Sequence, residues 1–130
     1  MYDIVVLHGP NDDDILPYCI YFIKQNILYK RKIFVISYSP YSSLFDLDIF
    51  KDIQIIDERI FPFTKKDVNN TIKTPQRDAW YYQQLLKLYS CFVIDILLDD
   101  FVIIDSDTLF LKPTSFKEDN KYLFNISIED

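Results

Sequence analysis

The sequence is poor in positive charge: 14 Lys and Arg stand against 20 Asp and Glu, for a net charge of −6. A nucleic-acid surface gathers Lys and Arg on one face to displace counterions from phosphates. The one short basic run, Lys30-Arg31-Lys32, is too small for that and reads as a solvated helix end, where cations complement the dipole. No nucleic-acid partner is expected. Cysteine is scarce too. Cys19 and Cys91 have no metal-ligand spacing and lie among apolar residues, so they are expected to be two buried free thiols in a reducing compartment. No apolar stretch reaches the roughly 20 residues of a membrane span, because Asp95 interrupts the longest candidate. The N-terminus runs directly into Tyr2-Asp3-Ile4-Val5-Val6-Leu7, without the flanks of a secretory signal, so a cytoplasmic location is expected. Asn69-Asn70-Thr71 and Asn125-Ile126-Ser127 are then chance matches to the glycosylation acceptor pattern. Repeats and low-complexity segments are absent.

What is present is a 49% hydrophobic chain rich in Ile, Phe and Tyr, which excludes disorder and suits one domain over residues 1–130. Ile4 to Leu7 is a continuous apolar run stopped by Gly9-Pro10, the pattern of a strand buried on both faces. Asp12, Asp13 and Asp14 are placed to cap a following helix, Pro17 suits its first turn, and Leu16, Cys19, Ile20, Ile23 and Ile27 recur at helical spacing. Lys32 to Ser37 and Ile53 to Asp57 read as further strands, and 58–74 as a long loop. A helix is expected over 75–90, with Ala79, Tyr82, Leu85, Leu86 and Tyr89 as its apolar stripe. Phe101 to Ile104 is the clearest strand, and Tyr122 to Ile126 offers a last one. The alternation predicts an α/β domain, Rossmann-like, with a mostly parallel sheet and helices on both faces.

The Phe101 to Ile104 strand delivers Asp105-Ser106-Asp107-Thr108. Alternate residues of an extended chain point the same way, so Asp105 and Asp107 share one face while Ser106 turns away. Two carboxylates beside a buried strand repel each other unless a proton or cation intervenes. Oxygen ligands at the carboxyl end of a parallel strand suit Mg²⁺ or Mn²⁺, and an acidic protein handling a diphosphate needs such a cation between the two sets of charge. The alternative is a turn that merely ends the strand, its side chains bonding the backbone.

Trp80-Tyr81-Tyr82-Gln83-Gln84-Leu85-Leu86-Lys87-Leu88-Tyr89, followed by Phe101 through Asp105-Ser106-Asp107 to Pro113, resembles GT-A-fold glycosyltransferases of the DxD type, in particular a group found in microbes and large viruses. The opening strand with Gly9-Pro10-Asn11-Asp12 and the Lys32 to Ser37 strand resemble that group as well. The resemblance implies a nucleotide-sugar donor, a UDP-sugar being favoured, with Mn²⁺ or Mg²⁺ on its diphosphate and a hydroxyl acceptor. It implies Asp107 as direct metal ligand and Asp105 near the ribose or a metal-bound water, with Ser106 between them. Leu7, His8 and Gly9 would lie against base and ribose, with Ser37 or Tyr38 nearby. Arg77 and Gln84 would face the donor sugar or diphosphate; the plainer reading of both is exposed helix residues, and of His8 a satisfied loop residue.

The sequence departs from the family in stopping at Asp130, where such enzymes continue into an acceptor-binding half, and in having only His8, so that a downstream His ligand is missing. The rival expectation is therefore a non-catalytic nucleotide-sugar-binding domain, or a subunit completed by a second chain or copy. A phosphatase of the haloacid dehalogenase class also uses an Asp-x-Asp strand end, but Leu109 stands where that class has Thr or Val.

Overall fold

The apolar runs form a single parallel sheet, and its register decides what meets at its carboxyl edge. The computed structural model describes residues 1–72 and 76–123. Strands β1 (Tyr2–His8), β2 (Lys30–Ser37), β3 (Gln54–Asp57) and β4 (Phe101–Asp105) lie in the order β3-β2-β1-β4, all parallel. Every residue of the inner strand β1 is buried, as expected of a strand flanked by two others and covered on both faces.

Helices cover both faces. Tyr2, Ile4 and Val6, with Ile33, Val35 and Ile104, pack against Leu16, Cys19, Ile20 and Ile23 of α1 (Leu16–Asn26). The alternate residues Val5, Leu7, Phe34 and Ile36 pack against Val68 of α2 (Lys65–Thr71) and against Tyr82 and Leu86 of α3 (Asp78–Val93). Each such Ile or Leu contributes about 1.5–3 kcal/mol by leaving water. Beyond β4 the chain returns under α1, where the Thr114 amide donates to the Asn26 carbonyl at 2.7 Å. The last described element is a small hairpin of β5 (Lys117–Glu118) and β6 (Lys121–Tyr122). No helix among the described residues is long and apolar enough to cross a membrane.

Several expectations are corrected. The 58–74 loop contains α2, begun by a capping box in which Thr64 and Asp67 satisfy each other's backbone amides. Helix α3 runs to Val93, and its buried face is Tyr82, Leu86 and Ser90. Ala79 and Tyr89 are exposed although they share the helical phase of Leu86 and Tyr82, Ala79 because it stands in the first turn beside an open cleft. Cys91 is exposed because it lies on the side turned away from the sheet, whereas Cys19 is buried as expected. The acidic run does not cap α1: Ile15 holds the cap position without a side-chain bond, while Pro17 does fall in the first turn. The basic run opens β2 instead of ending a helix, although Lys30 Nζ reaches back to the carbonyls of Lys24 and Ile27. The expected strand at Tyr122 to Ile126 is seen only at Lys121–Tyr122; 124–126 lie outside the described residues.

Asp3 is wholly buried in β1. Tyr2 pairs with Lys30 but Ile4 with Ile33, so β2 bulges and sets both Arg31 and Lys32 opposite Asp3. The carboxylate accepts from Arg31 Nε at 2.9 Å and Nη2 at 2.6 Å, from the Lys32 amide at 3.1 Å and from the Leu98 amide at 2.8 Å. Burial raises the Asp3 pKa, but the Arg31 guanidinium and the two amides outweigh it and hold the carboxyl below its usual range. A carboxyl lowered in the fold stabilises fully above its unfolded value of roughly 3.9, and that contribution is lost as pH falls through the lower folded value. Asp3→Ala should cost about 3 kcal/mol at neutral pH, by stranding a charge and two amides. The difference in denaturation midpoint from the parent should shrink as pH falls below about 4; a pH-independent difference would contradict the account.

The left-handed backbone falls on Tyr29, at φ 64°, and on Asp119 and Asn120 in the hairpin turn, rather than on the one glycine. A bulky residue in that region costs about 1–2 kcal/mol, and the Tyr29 side chain is exposed. Tyr29→Gly should therefore stabilise the fold by about 0.5 kcal/mol after the entropy cost of glycine, read as a rise of roughly 2 °C in thermal midpoint.

Candidate functional site

In a parallel sheet, a crevice opens beyond the carboxyl ends of neighbouring strands whose connections leave in opposite directions. Here that place is between β1 and β4: β2 and β3 lie on one side of β1, and β4 on the other. The register pairs Leu7 with Asp105 across it and His8 with Ser37 on the other side. Leu7, His8, Gly9, Ser37, Tyr38, Asp105, Ser106 and Asp107 are thus brought to one edge of the sheet.

The aspartates are presented by a turn rather than by a continued strand. β4 ends at Asp105, whose carbonyl accepts the Thr108 amide at 3.0 Å. Asp105 and Asp107 are exposed while Ser106 between them is buried. Ser106 Oγ donates to Asp12 Oδ2 at 2.6 Å, so its hydroxyl ties the turn to the loop after β1 instead of facing a ligand. Among the described residues neither aspartate side chain bonds the turn backbone, as a strand-ending role alone would require. Asp105 Oδ1 instead forms an ion pair with Lys87 Nζ of α3 at 2.8 Å.

Asp107, Asp12 and Asp105 lie close enough to act together on Cys19. Burial pushes that thiol up to about 12, and the negative field of the three acids adds to the effect. No group of three His, Cys, Asp or Glu among the described residues forms a closed metal cage. Asp105 and Asp107 are the exposed carboxylates of this turn, and oxygen donors of this kind could supply part of the coordination of a hard divalent cation. Occupation by a cation would displace Lys87 from Asp105.

Beside this edge, between the ends of β1 and β2 and the helix α3, is a cleft of about 210 Å³. Leu7, His8, Gly9, Ile36 and Tyr38 form its floor and side, with Glu58, Lys65, Ala79, Tyr82, Gln83 and Leu86 opposite. It is smaller than the roughly 300–1,000 Å³ of pockets that enclose a whole drug-sized ligand, and it suits one flat ring. Burial raises the Glu58 carboxyl, with neighbouring Asp57 adding to it. Burial also pushes the Tyr82 hydroxyl up to about 12, helped by Glu58 and Asp57.

Gly9 is where the chain passes α3: a Cβ added there would sit 3.7 Å from Gln83 Nε2. That is ordinary contact, so alanine fits, and any larger side chain projects towards Gln83 and the cleft. Arg77 is exposed at the start of α3, and neither it nor Gln84 lines the cleft. Gln83 and Lys87 are the polar α3 side chains turned to the site. Helical phase about the buried pair Tyr82 and Leu86 was the signal that could have found them.

His8 belongs to the scaffold. It is buried, with Nδ1 2.8 Å from Ser37 Oγ and Nε2 2.7 Å from Asp13 Oδ1. The Asp13 carboxylate can only accept, so Nε2 carries a proton, and in the neutral ring Nδ1 then accepts from the Ser37 hydroxyl, whose oxygen also takes the Ser39 amide at 3.0 Å. Ser, His and Asp in a row suggest a nucleophile relay, but the Ser37 side chain is fully buried and meets no substrate. Tyr38 donates to Asp13 at 3.1 Å, so burial and that carboxylate both raise its pKa.

No protein-family model, curated protein or solved structure matches the chain.

His8→Leu keeps the apolar bulk but leaves the buried Ser37 hydroxyl without an acceptor. Stability should fall by about 1–3 kcal/mol, measured as a lower urea midpoint with an unchanged slope. An unchanged midpoint would show that the His8 bonds do not hold the edge together.

Proposed function

We propose that this chain binds a nucleotide-diphosphate sugar, a UDP-sugar being favoured, as the donor part of a GT-A-type, DxD glycosyltransferase that passes the sugar to an acceptor hydroxyl. The observation carrying this reading is the placement of Asp105 and Asp107, exposed and free of the turn backbone, directly across from the end of β1 and beside a ring-sized cleft. The resemblance of the Trp80 to Pro113 stretch supports it.

The base would lie in the cleft over Leu7, Gly9 and Tyr38, against Tyr82 and Gln83. The diphosphate would extend over the end of β1 towards Asp105 and Asp107, where Lys87 offers a cation to phosphate oxygens. A divalent cation bound at Asp107, with Asp105 beside it, would offset the charge that builds on the leaving diphosphate. Ser37, His8 and Ser106 act at one remove, by holding Tyr38, Asp13 and Asp12 in place. Arg77 and Gln84 have no part in this arrangement.

Thermal shift with UDP and GDP, each with and without Mn²⁺, tests the reading. At 100 times Kd a ligand adds about 2.7 kcal/mol of stability, a rise of several degrees. Binding of one nucleotide that needs Mn²⁺ is expected, lost in Asp107→Ala and weakened about tenfold, or about 1.4 kcal/mol, in Gly9→Leu. Unchanged Mn²⁺-dependent affinity in Asp107→Ala would remove the metal assignment, and no nucleotide binding at all would overturn the donor reading. Release of UDP from a bound UDP-sugar would mark a transferase; binding without release would mark the non-catalytic domain or a subunit completed by another chain.

A further inference from the structure

Helix α3 presents its buried face, Tyr82, Leu86 and Ser90, to the sheet. The opposite side of such a helix is ordinarily polar. Here it carries Trp80 at 53% exposure, Leu88 at 68% and Phe92 at 77%, with Cys91 exposed among them. Trp80, Gln84, Leu88 and Phe92 are four residues apart and make one continuous ridge along the helix. Three large apolar side chains in a line on the solvent side point to a contact.

The ends of the ridge indicate which. Arg77 stands exposed three residues before Trp80, and Asp95 stands exposed three residues after Phe92. Neither takes part in an ion pair among the described residues. In a two-fold contact the same patch must complement itself. A two-fold axis that lays α3 antiparallel on its copy and puts Trp80 onto Phe92 of the second copy also puts Arg77 opposite Asp95 of the second copy. Gln84 then meets Leu88 at the centre. At a shallow crossing, with axes roughly 8–10 Å apart, opposite ends of the helices stay within reach of long side chains.

We infer that the exposed face of α3 is a self-complementary surface through which two copies of this chain associate, Trp80 packing on Phe92 and Arg77 pairing with Asp95 across the two-fold. The inference does not depend on what the cleft binds. It gives α3 two faces with separate tasks, since Lys87 and Gln83 lie to the side of the ridge.

Sedimentation of the chain over a concentration series tests it. One helix pair makes a small interface, so dissociation with a Kd on the order of 10 µM is expected, the mass rising towards twice 15.6 kDa. Leu88→Asp, at an exposed position, should weaken association at least about tenfold without lowering the thermal midpoint of the monomer. Arg77→Asp and Asp95→Arg should each weaken it, and the chain carrying both should regain parental affinity, because each reversed charge again meets its opposite. A single monomer mass up to about 1 mM would overturn the proposal. So would a dimer indifferent to Leu88→Asp, or a failure of the two reversals to compensate, either of which would assign this face to a different occupant.

Discussion

The sheet is organised around one buried charge. Asp3 sits near the amino end of the inner strand, fully buried, where an unpaired carboxylate would not stay ionised, and its partners come from two different stretches of chain: the start of β2, and the loop leading into β4, which supplies the Leu98 amide and whose Ile96 carbonyl takes Arg31 in turn. A slip of either neighbouring strand would strand that charge. An apolar strand can slide along another at modest cost, whereas one pinned by a bidentate guanidinium and two amides has a single register. Through that register, set at the amino end of the sheet, Leu7 comes to lie beside Asp105 and His8 beside Ser37 at the opposite end.

The loop after β1 is fastened just as specifically. Asp13 takes His8 and Tyr38 on the β2 side, and Asp12 takes Ser106 on the β4 side. Two adjacent acids therefore straddle the point where the strand order reverses and pull both flanks towards the loop between them. The acidity of this segment serves tertiary bonding rather than helix capping, which is why α1 begins without a side-chain cap. The turn carrying Asp105 and Asp107 owes its attitude to the buried serine between them.

Much of this was legible in the sequence, and the rest was hidden for identifiable reasons. Runs such as Ile4 to Leu7 and Phe101 to Ile104 can be little else than buried strands, and their alternation with helical spacing implies a parallel sheet. That Asp105 and Asp107 would turn one way and Ser106 the other was foreseen, though by way of an extended chain instead of a turn. Asp3 was not, because an acid near a strand start looks like an ordinary edge residue until its long-range partners are known. Helix α2 was missed although Thr64 and Asp67 carry a capping signature. Cys91 and the two ends of the α3 stripe, Ala79 and Tyr89, were misjudged because that helix has apolar residues on both sides, so composition could not tell inner from outer. Gln83, Gln84 and Lys87 differ only in helical phase, which the buried pair Tyr82 and Leu86 resolves.

The contact between Lys87 and Asp105 makes the edge of the sheet an ion exchanger. At rest each side chain is the other's counter-ion. An anion that draws Lys87 away leaves Asp105 uncompensated and hungrier for a cation; a cation that settles on Asp105 releases Lys87 to an anion. Two solutes of opposite sign that arrive together thus each lower the cost of the other's entry, whereas either one alone must first break an existing pair. By linkage the assistance would be equal in both directions, and a single lysine on α3 would couple the two.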